Sequence, residues 1–278
     1  MHPVYFLYTK IFLYSYKNII RKYSFNEVFL GQRGNNYNAR CKRVDRCKKI
    51  KDQVLLIVGC GEGADIEGWL KFKPKKIIAF DLMNYDHIWK VKKEFFFKKY
   101  NIEVDFFQAN ADDLTLLQDQ TIDIVCSDAV FQHLNDIDSV LLELTRVLKS
   151  GGVMYSAMGP LYYSFGGDIL SGNNIMSEGF NHLLLNREEY NSFLDVNLKK
   201  DDPRNMYFQY DLFSYLRTDE YIKKMTKLNY INLYRSCIVS KRTIGFKKCF
   251  PGAYKKLLNN NNEDDLLIES LTLINEKY

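Results

Sequence analysis

Residues 54–64 read Val54-Leu55-Leu56-Ile57-Val58-Gly59-Cys60-Gly61-Glu62-Gly63-Ala64. Five consecutive apolar, mostly branched side chains suit a strand buried on both faces of a parallel sheet. The glycines then break the run: a backbone without Cβ atoms turns tightly and lets a ligand come close. Ala64 to Phe72 can continue as a helix. Strand, glycine turn and helix open a βαβ unit whose helix N-terminus presents N–H groups to a ligand. The spacing Gly59-x-Gly61-x-x-Ala64 also fits a dinucleotide fingerprint, so the turn alone does not choose a cofactor.

Working outward, Lys76–Phe80 forms a second strand closed by Asp81. That carboxylate falls about 20 residues after the turn, where it can accept ribose hydroxyls. His87 to Tyr100 reads as a helix, Glu103–Gln108 as a third strand and Ile122–Ser127 as a fourth. Ile137–Leu148 is a helix with Val140, Leu141, Leu144, Val147 and Leu148 apolar, stopped by Ser150-Gly151-Gly152. Val153–Ala157 is a fifth strand. Strands alternating with helices at this spacing predict an α/β, doubly wound, mostly parallel sheet. Residues 158–215, rich in aromatics, glycine and asparagine, are too long for an ordinary connection and read as an insertion over the active site. Thr218–Leu228 reads as a helix with Thr218 as its N-cap. Tyr230–Ser240 is a late strand, and Asn259–Asn262 marks a loop before a C-terminal helix.

Residues 1–30 read as helical. Cys41, Val44, Cys47 and Ile50 line one face of a short basic helix. The organisation expected is a helical cap over 1–50, a cofactor-binding core over 51–158, an acceptor-binding lid over 159–215, and completion of the sheet over 216–278.

Hydrophobic residues at 46% and charged residues at 26% give an ordinary soluble balance. The net charge of +5 hides an asymmetry: residues 1–51 hold 12 Lys+Arg against 2 Asp+Glu, and the remainder 27 against 32. A basic arm on a mildly acidic body points to an anionic partner. The six cysteines form no CxxC pair and no ligand cluster with histidine, which predicts no metal and suits a reducing, cytoplasmic setting. Val4 to Tyr16 is apolar and aromatic, but Lys10 interrupts it and it falls short of the roughly 20 residues that span a bilayer. It reads as a helix packed on the body, with interfacial membrane contact as the alternative.

Several segments together resemble the class I S-adenosylmethionine-dependent methyltransferase family. They are Leu56–Gly63, Ile78-Ala79-Phe80-Asp81, Asn110–Leu114, Ile122–Asp128, Phe131-Gln132-His133-Leu134 and Arg146–Gly152. The resemblance covers about residues 50–158, and its order and spacing make it specific. It implies a Rossmann-like, seven-stranded-type sheet and S-adenosylmethionine as cofactor. Gly59, Cys60, Gly61 and Gly63 would lie against the methionine part, and Asp81 and Leu82 at the ribose. Asn110, Ala111 or Asp112 would meet the adenine, and Ser127 would stand near the cofactor at the end of strand four. Asn110 stands where many members carry an acidic residue, which leaves the adenine contact open among these three.

Methyl transfer from a sulfonium needs alignment and, for a hydroxyl acceptor, a general base. His133, at the carboxyl edge of the sheet, and His182, in the insertion, are the candidates. Asp168 is a third candidate, as base or as a ligand for sugar hydroxyls. Gly159–Asp168, with Tyr162 and Tyr163, is expected to line the acceptor pocket together with His182; aromatic faces and hydroxyls suit a sugar. The segments Gly-Pro-Leu-Tyr-Tyr and Phe180–Leu185 resemble methyltransferases of bacterial glycan pathways. The reading is therefore O-methylation of a small, sugar-like or anionic acceptor.

Three alternatives stand beside it. One is an RNA methyltransferase that holds phosphates with the basic arm, although no RNA-binding module or Asn-Pro-Pro-Tyr-like motif is visible. The others are a non-catalytic methyltransferase-like binder and a nicotinamide dehydrogenase.

Overall fold

The computed structural model describes Ile11, Phe12, Tyr14, Tyr16 and residues 28–31, 37–173 and 175–278. The expected N-terminal helix falls largely outside these residues. Where it was expected to end, Val28–Leu30 is instead a strand, β1.

Seven further strands follow: β2 (Val54–Val58), β3 (Lys76–Asp81), β4 (Glu103–Gln108), β5 (Ile122–Asp128), β6 (Leu148–Met158), β7 (Tyr230–Val239) and β8 (Ile268–Lys277). They form one sheet in the order β1-β7-β8-β6-β5-β2-β3-β4. All neighbouring pairs are parallel except those made by β8, which runs antiparallel to both β6 and β7. The sheet is thus mixed, with one reversed strand in a parallel frame. The expected C-terminal helix shrinks to Glu263–Leu267, and the chain then enters β8.

The direction of winding reverses between β2 and β5. From β2 the chain steps outward to β3 and β4, and from β5 it steps the other way to β6. Open α/β sheets bind ligands at the carboxyl ends of the strands at such a switch point. Continuous apolar runs put the strands in two cores, one on each face. Leu56, Val58, Val125 and Met154 join the first, and Leu55, Ile57, Ile124 and Tyr155 the second.

The helices are α1 (Tyr37–Cys47), α2 (Ile66–Leu70), α3 (Asp86–Tyr100), α4 (Ile137–Val147), α5 (Asn181–Leu184), α6 (Arg187–Asn197), α7 (Asn205–Gln209), α8 (Thr218–Lys227), α9 (Lys241–Cys249), α10 (Pro251–Leu257) and α11 (Glu263–Leu267). In α4 the stripe Ile137, Val140, Leu141, Leu144 and Val147 is buried, as its periodicity requires. Asp136 starts that helix by accepting the Ser139 N–H at 3.0 Å. Arg217, rather than Thr218, occupies the cap of α8, and the Thr218 N–H donates to Asp265 Oδ1 at 3.2 Å.

A third cluster joins Phe165 and Phe180 of the insertion to Phe246, Tyr254, Leu257 and Leu266 of α9–α11. The insertion is therefore anchored on the helices that precede β8. Each large apolar side chain buried there contributes on the order of 1.5–3 kcal/mol.

Candidate active site

A pocket of about 390 Å³ opens at the switch point, within the range of small-molecule sites. The ends of the strands supply its floor: Val58 and Gly59 after β2, Phe80 to Met83 after β3, Ala109 to Asp112 after β4, and Ala129 and Val130 after β5. His133 to Asp136, Val140, Met206, Tyr207 and Leu212 complete it.

The glycine turn is tied to β3. The Cys60 N–H donates to the Phe80 carbonyl at 3.0 Å, and the Gly61 N–H to Asp81 Oδ2 at 2.7 Å. Gly59 has φ +67°, and a Cβ there would lie 2.2 Å from Val130 Cγ2. Gly61 has φ +50°, and a Cβ there would meet nothing within 4 Å. Two glycines thus have different duties: Gly59 admits Val130, and Gly61 leaves a ledge of bare backbone facing open space. The Trp89 indole N–H donates to the Gly61 carbonyl at 2.8 Å and its ring stacks on Phe106, which steadies the turn from behind.

Asp81 uses one oxygen for Gly61 and the other for the Met83 N–H at 3.0 Å. Each carboxylate oxygen keeps a second lone pair for a ligand hydroxyl. Leu82 and Met83 beside it are exposed, an apolar lip of the kind a flat ring covers. At the end of β5, Ala129 adopts a left-handed conformation (φ +59°) and its N–H donates to the Ala157 carbonyl at 2.7 Å. This bend swings Val130 over Gly59.

The loop after β5 grips the insertion. The Gln132 carbonyl accepts the Ser214 N–H at 3.0 Å, and His133 Nδ1 lies 2.9 Å from the Leu212 carbonyl. A carbonyl only accepts, so Nδ1 carries the proton and Nε2 bears a lone pair. Burial lowers the His133 pKa, opposed by the bond to Leu212, so the ring is neutral. Its ring lies 4.5 Å from that of Tyr207. Asp211 and Tyr215, both left-handed, bracket Leu212–Ser214, and the Tyr215 hydroxyl donates back to Asp211.

Of the residues singled out from sequence, Gly59, Asp81, Leu82, Asn110, Ala111, Asp112 and His133 line this pocket. Gly61 reaches it through its bond to Asp81. Cys60 packs its side chain toward the second core, and burial pushes its thiol up to about 12. Gly63 sits against Phe106. Ser127 is buried, its hydroxyl without a hydrogen-bond partner, on the strand beneath the pocket.

His182 and Asp168 come together elsewhere. His182 Nδ1 lies 3.7 Å from Asp168 Oδ1, and both side chains are enclosed. His182 Nε2 donates to the Tyr162 carbonyl at 2.8 Å. Asp168 accepts from the Leu170 and Ser171 N–H groups, the Ser171 hydroxyl and the Tyr190 hydroxyl. Those four donors occupy its acceptor positions and leave none for a substrate proton. Neither residue lines the pocket. Tyr162 is in ring contact with Tyr163, His182, Phe213 and Tyr215, and the Arg217 guanidinium covers Tyr163 at 4.5 Å. The sequence reading missed Val130, Met206, Tyr207 and Leu212. Val130 is betrayed only by the clash it would make at Gly59, and the others lie in a segment whose aromatics carry no periodicity.

Residues 56–156 match the Methyltransferase domain family. About a third of the chain therefore carries a methyltransferase domain. Over 105 residues it is 34% identical to a malonyl-[acyl-carrier protein] O-methyltransferase from Hamiltonella defensa, a match covering 38% of this chain and 37% of that protein. The fold is similar to that of a structure described as a sarcosine dimethylglycine methyltransferase from Galdieria sulphuraria (TM-score 0.54, 12% identity, 87% of this chain and 84% of that one). It is also similar to a geranyl diphosphate methyltransferase in complex with SAM (TM-score 0.53, 11% identity, 87% and 85%). S-adenosylmethionine is the cofactor of this domain, and the spare lone pairs of Asp81, the open ledge at Gly61 and the apolar lip fit it.

Proposed function

We propose that the protein transfers a methyl group from S-adenosylmethionine to a hydroxyl of a small acceptor, a sugar or nucleotide-linked sugar. The observation that carries this reading is a neutral imidazole with a free Nε2 lone pair on the wall of a pocket shaped for the cofactor. The cofactor supplies a methyl group already activated on sulfonium sulfur, so the protein's part is alignment and removal of one proton. Asp81 holds the ribose hydroxyls, Gly59 and Gly61 leave room for the methionine part, and Asn110–Asp112 border the adenine. Ser127 supports the strand beneath.

His133 is the general base. The Leu212 carbonyl fixes its tautomer, and Tyr207 and Phe213 fix its ring. His182 and Asp168 hold the insertion together and do not take the proton. A hydroxyl acceptor needs such a base, which a carboxylate acceptor would not. The O-methyltransferase similar to residues of the core supports oxygen as the methylated atom. Tyr162 and Tyr163, packed against other rings and Arg217, stand outside the pocket lining, and Tyr207, which lines it beside His133, supplies the aromatic surface that suits a sugar.

The test is calorimetric titration with S-adenosylhomocysteine, NADH serving as control, followed by transfer of labelled methyl to a panel of nucleotide-sugars. S-adenosylhomocysteine alone should bind, and His133→Gln should lower turnover about 10²–10⁴-fold. Burial keeps the imidazole below its ordinary 6.5, so the wild-type rate should hold into mildly acidic pH. Binding of NADH alone would overturn the reading, and full turnover by His133→Gln would remove the base.

A further inference from the structure

We propose that the Tyr207 ring reads the charge of the cofactor, favouring the sulfonium of S-adenosylmethionine over the neutral thioether that remains once the methyl group has left. This deepens the reading of the site given above and rests on His133 as the base.

Tyr207 belongs to α7, in the insertion, yet it lines the cofactor pocket. Its carbonyl accepts the Leu212 N–H at 2.8 Å, and the Leu212 carbonyl in turn holds His133. The Tyr207 and His133 rings are 4.5 Å apart and inclined at 52°, so the imidazole does not lie flat on the tyrosine. Burial first, and then the Asp81 charge, raise the Tyr207 hydroxyl above its ordinary value, so it stays protonated at neutral pH. The side chain thus shares one pocket with His133 and with Asp81.

A base on His133 confines methyl transfer to the wall it shares with Tyr207. A ring face attracts a cation out to about 6 Å from its centroid, farther than the 4.5 Å between the two rings. The rest of the lining favours the same sign. Asp81, Asp112 and Asp136 line the pocket, and among the described residues no lysine or arginine does. Asp112 and Asp136 are exposed, where salt screens them, which leaves the half-buried Asp81 and the ring to discriminate. When the methyl group passes to the acceptor oxygen, the C–S bonding pair stays on sulfur and the acceptor's proton goes to His133 Nε2. The sulfur is then neutral, and both attractions to it lapse together. Loss of the methyl group therefore also loosens the product.

The experiment is calorimetric titration of the full chain with S-adenosylmethionine, S-adenosylhomocysteine and sinefungin, an analogue that carries an ammonium group at the place of the sulfonium. The wild type is expected to bind both cations more tightly than the thioether. Tyr207→Leu should lower that preference about threefold to thirtyfold while S-adenosylhomocysteine affinity stays within about twofold. Tyr207→Phe, which keeps the ring, should retain the preference. Equal melting temperatures show that the variants fold. Thioether binding as tight as that of the cations in the wild type would overturn the inference. So would an unchanged preference in Tyr207→Leu, whether or not all three ligands bind more weakly. Failure of the wild type to bind any of the three would overturn the cofactor reading with it, whereas failure of His133 as the base shows separately, in the turnover of His133→Gln.

Discussion

Gly59→Ala and Gly61→Ala look equivalent in sequence, and the structure says they are not. Both positions have positive φ, which costs an L side chain roughly 1–2 kcal/mol. At Gly59 the added methyl would also meet Val130 Cγ2 at 2.2 Å and Val130 Cβ at 3.3 Å. Val130 is β-branched, with Cγ1 at 3.2 Å as well, so rotation about its Cα–Cβ bond is confined and the neighbour must shift. Overpacking adds about 1–3 kcal/mol, for a total near 2–5 kcal/mol. At Gly61 there is no clash, and reduced freedom of the unfolded chain offsets about 0.4–1 kcal/mol of the left-handed cost. Urea unfolding should therefore show a large loss for Gly59→Ala and about 1 kcal/mol or less for Gly61→Ala. Calorimetry should show the converse signature for Gly61→Ala: nearly native stability with weakened S-adenosylhomocysteine binding, since its methyl enters the space kept for the cofactor. Equal destabilisation by the two substitutions would refute the packing argument. Unchanged affinity in Gly61→Ala would show that the cofactor does not approach that ledge.

Asp81→Ala should weaken S-adenosylhomocysteine binding about a hundredfold or more, because hydrogen bonds to a charged group are each worth about 1.5–3 kcal/mol; undiminished affinity would sink the ribose assignment. Asp128 gives a pH prediction. Its carboxylate accepts from Arg40 and from the Tyr155 hydroxyl, both at 2.7 Å, and burial nevertheless raises its pKa to about 6. The folded state therefore holds this proton more tightly than the unfolded chain does. The stability it contributes is greatest at low pH and declines as pH rises through 6. Relative to Asp128→Asn, the wild type should be more stable at pH 5 than at pH 8 by roughly 1.4 kcal/mol, read from urea midpoints. A difference between the two proteins that does not change with pH would refute it.

The parallel strands were legible because their function in the fold is simple. Val54–Val58 and Glu103–Gln108 fall where the apolar runs put them. β8 was not legible. Leu267, Leu271 and Ile274 have helical spacing, yet the strand lies between β6 and β7 and is buried on both faces, so no alternation marks it. Its polar members reach to distant partners: Glu269 accepts from Arg242, and Asn275 Oδ1 accepts from Asn232 while its Nδ2 is buried without a hydrogen-bond partner. At the site, residues fixed by strand ends were readable and those supplied by the insertion were not. Asp81 and His133 sit at predictable places in the alternation. Tyr207 and Leu212 reach the pocket only because Gln132 and His133 hold their segment there, a relation between loops that sequence spacing does not encode. His182 misled for the same reason: a histidine in an insertion looks available until its enclosure is seen.

The reversed strand also sets the order in which the molecule can be finished during synthesis. β6 ends at Met158, but the neighbour that covers its outer edge begins only at Ile268. While the intervening segment is being made, β6 presents unpaired N–H and C=O groups beside an apolar face. β7 and β1 have nothing in the growing sheet to join. The cofactor half of the protein can assemble early on the ribosome, whereas the half carrying the insertion's anchoring helices is held open until the last strand slides between two waiting edges. A nascent chain stalled before Ile268 thus exposes the β6 edge as a template for wrong pairing.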